Sequence, residues 1–199
     1  ENRSKQSAGA LNLNVFTRSK FQDCDFKSNQ AEGKHGGAIQ ISGKDGKNAT
    51  EVTLSHVTFS ENICKMDGGA LHCGDYSLVI LDEARFERNK SENSGGAVSL
   101  VGREDQYPSK ITFRGSYFLE NHSNLDGGAV AAGFNTRMIV SDCQFVNNSA
   151  DSNCGAIGIS GKPDAEASKA KFTNVVFSNN HCKADGGAVA SGTQIGRAH

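Results

Sequence analysis

Residues 59–71 read FSENICKMDGGAL, and this stretch decides the fold because both of its ends recur along the chain. One end is a Phe-x-x-Asn tetrad, and the other is Gly-Gly-Ala followed by an aliphatic residue. The Phe and Asn positions are Phe26 and Asn29, Phe59 and Asn62, Phe86 and Asn89, Phe118 and Asn121, Phe145 and Asn148, and Phe177 and Asn180. The glycine positions are Gly36 and Gly37, Gly68 and Gly69, Gly95 and Gly96, Gly127 and Gly128, Gly155 preceded by Cys154, and Gly186 and Gly187. Six copies of two linked motifs predict a solenoid built from stacked repeats.

The spacing of the repeat alternates between long and short units. Successive Phe positions are 33, 27, 32, 27 and 32 residues apart, which gives a superrepeat of 59 residues. We call the units of Gly36, Gly95 and Gly155 odd, and the units of Gly68, Gly127 and Gly186 even. Even units carry an Asp directly before the glycines, and odd units carry a longer segment after them.

Each unit contains short stretches with the two-residue periodicity of a half-buried strand. Apolar residues alternate after the glycines, as in Ile39 and Ile41. The residue five positions before each Phe is also apolar: Phe21, Leu54, Leu81, Phe113, Val140 and Phe172. We expect two or three strands per unit, and stacking is needed to bury their apolar edges. The sequence therefore predicts an all-β fold, a right-handed parallel β-helix of about six coils of 27–33 residues.

The repeated residues have structural explanations in such a coil. Stacked asparagines at one corner predict an amide ladder along the axis, and the Phe three residues earlier is expected to stack in the core. The glycine pair is expected to allow positive φ at a corner and a close approach of the chain to that Phe.

The paired tetrads resemble the passenger domains of chlamydial polymorphic membrane proteins over nearly the whole chain. The resemblance implies an autotransporter, whose β-helical passenger is exported through a C-terminal barrel and adheres to host cells. On this basis residues 1–199 are expected to form a single β-helix fragment of a longer passenger, with no signal peptide and no barrel of its own. The implied location is the bacterial outer membrane surface or the secreted fraction, and the implied role is in adhesion and virulence.

Composition argues against several other classes of partner. The net charge is −1, so nucleic acid is not expected to bind. The longest apolar run, residues 78–81, is too short for direct membrane insertion. Cys64, His72 and Cys73 lack a paired ligand spacing, so neither a metal nor a cofactor is predicted. Cys154 and Cys182 lie on adjacent coils, which leaves either a disulfide or free thiols open.

The runner-up function is a polysaccharide lyase or glycosidase, since β-helices also host glycan-active enzymes. Such an enzyme places carboxylates and a base on outward strand positions of neighbouring coils. The best cluster of this kind combines His56, Asp82, Glu83, Arg114 and Asp142. Asp82 and Arg114 equally suit a surface ion pair. We favour a non-enzymatic protein and assign no catalytic residue.

The odd-unit loops are the candidate binding elements, because a rigid coil presents loops at fixed spacing. The candidate residues are Lys44, Lys47, Arg103, Glu104, Tyr107 and Lys162. Lys44, Arg103 and Lys162 recur every 59 residues and predict a ridge that contacts a host-cell protein or glycan, with Tyr107 as its aromatic anchor. The alternative for each loop residue is a solvated turn. A homo-oligomer is also left open.

Overall fold

The computed structural model describes residues 1–103, 107–162 and 167–192, and these residues form a parallel β-helix. Four parallel sheets run along the axis, and every strand pairs with the equivalent strand of the next coil. The predicted fold class is confirmed. The expectation of two or three strands per unit is wrong, because each complete coil has four. The additional strand has two residues and follows each ladder Asn, so it is too short to show a periodicity.

We name the sheets A to D in the order in which the chain passes through them. Sheet A contains β1 Arg3–Ser4, β5 Gln30–Ala31, β9 Ile63–Cys64, β13 Lys90–Ser91, β17 His122–Ser123, β21 Ser149–Ala150 and β25 His181–Cys182. Sheet B contains β2 Leu11–Asn14, β6 Ile39–Ser42, β10 Leu71–Cys73, β14 Val98–Leu100, β18 Val130–Ala132, β22 Ile157–Ser160 and β26 Val189–Gly192.

Sheets C and D complete the coil. Sheet C contains β3 Arg18–Gln22, β7 Thr50–Ser55, β11 Ser77–Asp82, β15 Ser109–Arg114, β19 Thr136–Ser141 and β23 Lys169–Thr173. Sheet D contains β4 Asp25–Lys27, β8 Thr58–Ser60, β12 Arg85–Glu87, β16 Tyr117–Leu119, β20 Gln144–Val146 and β24 Val176–Ser178.

The register of the sheets follows the repeat. In sheet C, Leu81 pairs with Leu54 on one side and with Phe113 on the other, and all three are fully buried. In sheet B, Leu71 pairs with Ile39 and with Val98 in the same way. Stacking therefore produces one continuous apolar core, since equivalent inward residues of adjacent coils lie in direct contact.

The Phe-x-x-Asn tetrads form two files along the axis. The rings of the six repeat phenylalanines stack with centroids 4.4–5.2 Å apart. In the asparagine file, Nδ2 of Asn62 donates to Oδ1 of Asn89 at 2.9 Å and to the carbonyl oxygen of Phe26 at 2.9 Å. The backbone N–H of Asn62 donates to the same Oδ1. The predicted amide ladder is confirmed, and it extends to Asn2, which lies outside the Phe-x-x-Asn tetrads.

The two glycines of each pair have different roles. Gly68 has φ +74°, as predicted for a corner, whereas Gly69 has no positive φ. A Cβ on Gly69 would clash with the carbonyl oxygen of Gly96 in the next coil and with backbone atoms of Lys90. The expected close approach to the Phe is therefore wrong: the second glycine lets neighbouring coils approach each other at the backbone.

Cys154 keeps the corner that a glycine forms elsewhere. Its φ is +62°, close to that of the glycines it replaces. Cys154 and Cys182 are both free thiols in the structure, so the disulfide alternative is not the one observed. Burial raises the pKa of the Cys154 thiol to about 12, which leaves it protonated and unreactive at neutral pH.

Candidate functional site

The candidate binding site lies at the corner between sheets B and C, which we call the loop corner. Even units cross this corner with short turns, residues 74–76 and 133–135. Tyr76 and Asn135 close these turns with φ of +53° and +48°. The odd unit of Gly36 crosses the same corner with the longer loop 43–49. Long and short connections therefore alternate along one edge of the coil.

Buried hydroxyl groups hold the base of these connections. Oγ1 of Thr50 donates to the carbonyl oxygen of Ser42 at 2.8 Å, across the mouth of loop 43–49. Oγ of Ser77 and Oγ of Ser109 both donate to the carbonyl oxygen of Gly74, at 2.8 Å and 3.0 Å. These hydroxyl residues are fully buried, so each connection starts from a fixed point. Length changes beyond that point do not alter the register of the coil.

The structure places most of the predicted binding residues on the loop corner. Lys44, Lys47, Arg103 and Lys162 are exposed there, and Glu104 lies outside the described residues. Asp45 shapes the first loop, because its carboxylate accepts hydrogen bonds from the backbone N–H groups of Lys47 and Asn48 and from the Asn48 side chain. This turn orients both lysines toward solvent.

The odd-unit basic residues contact the even-unit turns beside them. A guanidinium nitrogen of Arg103 lies 3.9 Å from Oδ2 of Asp75, and Nζ of Lys162 lies 5.9 Å from the ring centroid of Phe134. The ring of Tyr107, which is 41% exposed, lies directly against Gly46 two coils away. Successive loops therefore touch one another, and the loop corner has a continuous surface.

The residues of the predicted catalytic cluster lie on the outer surface of the coil. His56, Glu83 and Asp142 lie at the corner between sheets C and D, with φ of +51°, +51° and +55°, and not on strands as expected. Nε2 of His56 is 3.2 Å from Glu83, but the two side chains are 55% and 69% exposed. Asp82 and Arg114 form the surface ion pair, at 3.3 Å. The cluster therefore consists of solvated surface ion pairs.

A groove on the outer face of sheet B was missed by the sequence reasoning. Its volume is about 370 Å³, and its lining includes His35, Asp67, His72, Ser99 and Asp126. Asp67 and Asp126 are even-unit residues that directly precede a glycine pair, and that repetition was the available signal. The sequence did not show that the outward residues of sheet B lie in a recess.

The titratable groups of this groove are strongly perturbed by their surroundings. Burial, together with the neighbouring His35, lowers the pKa of His72 to about 3, so its imidazole is neutral at pH 7. Burial opposes ionisation of Asp67, but its hydrogen bonds and the nearby His35 outweigh it and lower the pKa of that carboxyl. The rings of His35 and His72 are stacked with centroids 4.3 Å apart. The groove thus holds a neutral imidazole beside a carboxylate.

The described residues contain neither a group of metal ligands nor a helix that could span a membrane. In residues 1–103, 107–162 and 167–192, no three His, Cys, Asp or Glu side chains are grouped so that they would hold a metal ion. The same ranges contain no helix whose length and hydropathy would allow it to cross a bilayer.

Comparison with known proteins identifies the repeat. The Chlamydia polymorphic membrane protein repeat matches residues 56–74 and 174–192. Each segment begins three residues before a repeat Phe, Phe59 or Phe177, and continues past the Gly-Gly-Ala motif that follows it. The two segments lie two 59-residue superrepeats apart. No curated protein and no solved structure matched the chain. The resemblance predicted from the tetrads is confirmed: the chain carries repeats of the Chlamydia polymorphic membrane protein family, which indicates a protein of the outer membrane or cell surface.

Proposed function

We propose that the chain is a non-enzymatic adhesin segment that attaches bacteria to host cells through its loop corner. The observation that supports this most directly is the structural difference between the two corners. The corner with the asparagine ladder is buried and repeats in every coil, whereas the loop corner is exposed and varies in length and composition. Recognition residues are expected where the scaffold tolerates variation.

The expected partner is a host-cell surface protein or a glycan. Lys44, Lys47 and Arg103 supply exposed positive charge, and Tyr107 supplies an amphipathic ring at the same corner. Arginine and tyrosine are enriched among residues that dominate binding energy at interfaces. Contacts between successive loops increase the area over which one partner is bound.

The test replaces residues 101–108 with the three-residue turn Gly-Phe-Asn that the chain itself uses at 133–135. Because this turn already fits the same corner, the fold is expected to remain intact by circular dichroism. Attachment of protein-coated beads to epithelial cells is expected to fall several-fold.

The matched control is Asn89→Ala, which removes one rung of the ladder. The N–H and Nδ2 groups of Asn62 lose their acceptor and the Phe59 carbonyl loses a donor, at about 1–3 kcal/mol for each buried group left unsatisfied. Any loss of attachment should then follow loss of structure. A folded Asn89→Ala protein that no longer attaches, or a loop replacement that attaches normally, would show that the loop corner is not the recognition element.

A further inference from the structure

The groove on the outer face of sheet B is a second candidate site, separate from the exposed loop residues. Its floor consists of residues that point away from the core in the middle of their strands: His72 in β10 pairs with Ser99 in β14, and Ser99 pairs with Ala131 in β18. Outward strand residues of a solenoid normally face solvent, yet His72 and Ser99 are only 6% and 7% exposed. The groove is therefore recessed between the two corners that border sheet B.

The described lining of the groove contains the carboxylates of Asp67 and Asp126 and no lysine or arginine. His72 is neutral at pH 7, and the imidazole of His35 lies beside Asp67. Oδ1 of Asp126 accepts from the backbone N–H and from Nδ2 of Asn153, and Oδ1 of Asp67 accepts from the N–H of Ser94. Each carboxylate is thus oriented by a hydrogen bond from the next coil.

A buried polar atom without a partner marks the same groove. Nδ1 of His72 makes no hydrogen bond, although the residue is more than nine-tenths buried. The imidazole of His35, by contrast, is paired with Asp67, with Nδ1 3.2 Å from Oδ2. Buried polar atoms are normally paired, so the unpaired imidazole of His72 in this recess favours a ligand that supplies polar contacts.

The spacing of the two carboxylates limits the shape of that ligand. Asp67 and Asp126 occupy equivalent positions two coils apart, with the coil of Ser94 between them. At about 4.8 Å per coil the separation along the axis is about 10 Å. A polyproline II segment repeats every three residues and rises about 3.1 Å per residue, so its residues i and i+3 present side chains on one face about 9 Å apart.

We propose that this groove binds an extended basic peptide segment that lies along the helix axis, with arginine or lysine side chains three residues apart on Asp67 and Asp126. Arginine suits these sites because its guanidinium forms two parallel hydrogen bonds to a carboxylate. The unpaired imidazole of His72, which lies on the coil of Asp67, provides a polar contact beside that subsite. Acidic glycans and phosphorylated ligands are disfavoured by the same carboxylates.

The probe is a fluorescent peptide of sequence Pro-Arg-Pro-Pro-Arg-Pro, titrated with the whole chain and followed by anisotropy at moderate salt. Asp67→Asn with Asp126→Asn is expected to weaken binding at least tenfold, and replacement of both arginines with citrulline is expected to have the same effect. Asparagine retains the side-chain oxygen that accepts from Ser94 and from Asn153, so the fold is preserved, which circular dichroism checks.

The matched control is Asp82→Asn, which removes one carboxylate from the surface outside the groove. It is expected to leave the affinity within twofold of the parent protein. Equal losses in Asp82→Asn and in the groove variant would overturn the proposal by showing unspecific attraction between charges. Binding of a neutral oligosaccharide with no binding of the arginine peptide would also overturn it. Because cell attachment is not the readout, this result is independent of the proposed role of the loop corner.

Discussion

The outer faces of sheets B and C differ, although their inner faces follow the same pattern. On sheet C the outward Ile139 is 47% exposed and pairs with the half-buried Thr112 of the preceding coil. On sheet B the outward His72 and Ser99 are buried in a recess. The inward residues on both sheets are equally buried, so the core does not explain the contrast. The difference shows that stacking fixes the inside of a solenoid, whereas the corners decide which outer face is available to bind.

The largest effect is expected for a charge introduced on the inner face of sheet C. Leu81→Asp places an unpaired carboxylate among fully buried apolar side chains and is expected to cost about 4 kcal/mol or more of unfolding free energy. Ile139→Asp on the outer face of the same sheet is expected to cost about 1 kcal/mol or less. Urea denaturation of both variants measures the difference. Similar costs would contradict the assignment of inner and outer faces.

A smaller effect is expected when the same substitution is made on the two outer faces. Ser99→Glu introduces a carboxylate into a recess that already holds Asp67 and Asp126, and we expect a loss of about 2–3 kcal/mol. Thr112→Glu is expected to change stability by about 0.5 kcal/mol or less, since Thr112 is only half-buried on the outer face of sheet C. Thermal unfolding of the pair provides the comparison. If the two variants unfold alike, the groove on sheet B is as accessible as the outer face of sheet C.

The last effect is nearly absent at pH 7 and develops as the pH falls. The pKa of His72 is about 3 in the folded protein and about 6.5 in an unfolded chain, so the unfolded state binds a proton first as the pH falls. His72 therefore lowers stability between about pH 6.5 and pH 3, and His72→Gln is expected to reduce the loss of stability over this window. Denaturation midpoints from pH 7 to pH 4 test this. His56→Gln at an exposed corner is the control, and an equal effect there would contradict the burial of His72.

Much of this architecture could be predicted from the sequence because the determining interactions repeat. The apolar columns, the phenylalanine file and the ladder of Asn62, Asn89 and their equivalents each depend on one residue type at one position of every coil. The glycine pair shows where this reasoning stops. A requirement for small size at Gly69 is visible in the sequence, but the neighbour that imposes it, the backbone of the next coil, is known only after stacking.

The candidate site was less predictable than the fold. Exposed Lys44 and Arg103 were found because loop length varies, while the hydroxyl groups of Thr50 and Ser77 that hold the loop bases were missed. Asp82 and Arg114 were correctly paired, because adjacent coils place them one above the other. His56 and Glu83 were assigned to a strand because alternation alone does not locate the corner where their φ becomes positive.

The sequence by itself determined the repeat, the inward columns and the alternation of long and short units. These follow from periodicity, since a residue that recurs in every coil meets its own copies above and below. Only the tertiary structure decided that His35, Asp67 and His72 come together and that the outer face of sheet B is recessed. Those features depend on how far the corners extend over the sheet and on which rings stack across coils, and no single repeat unit encodes either.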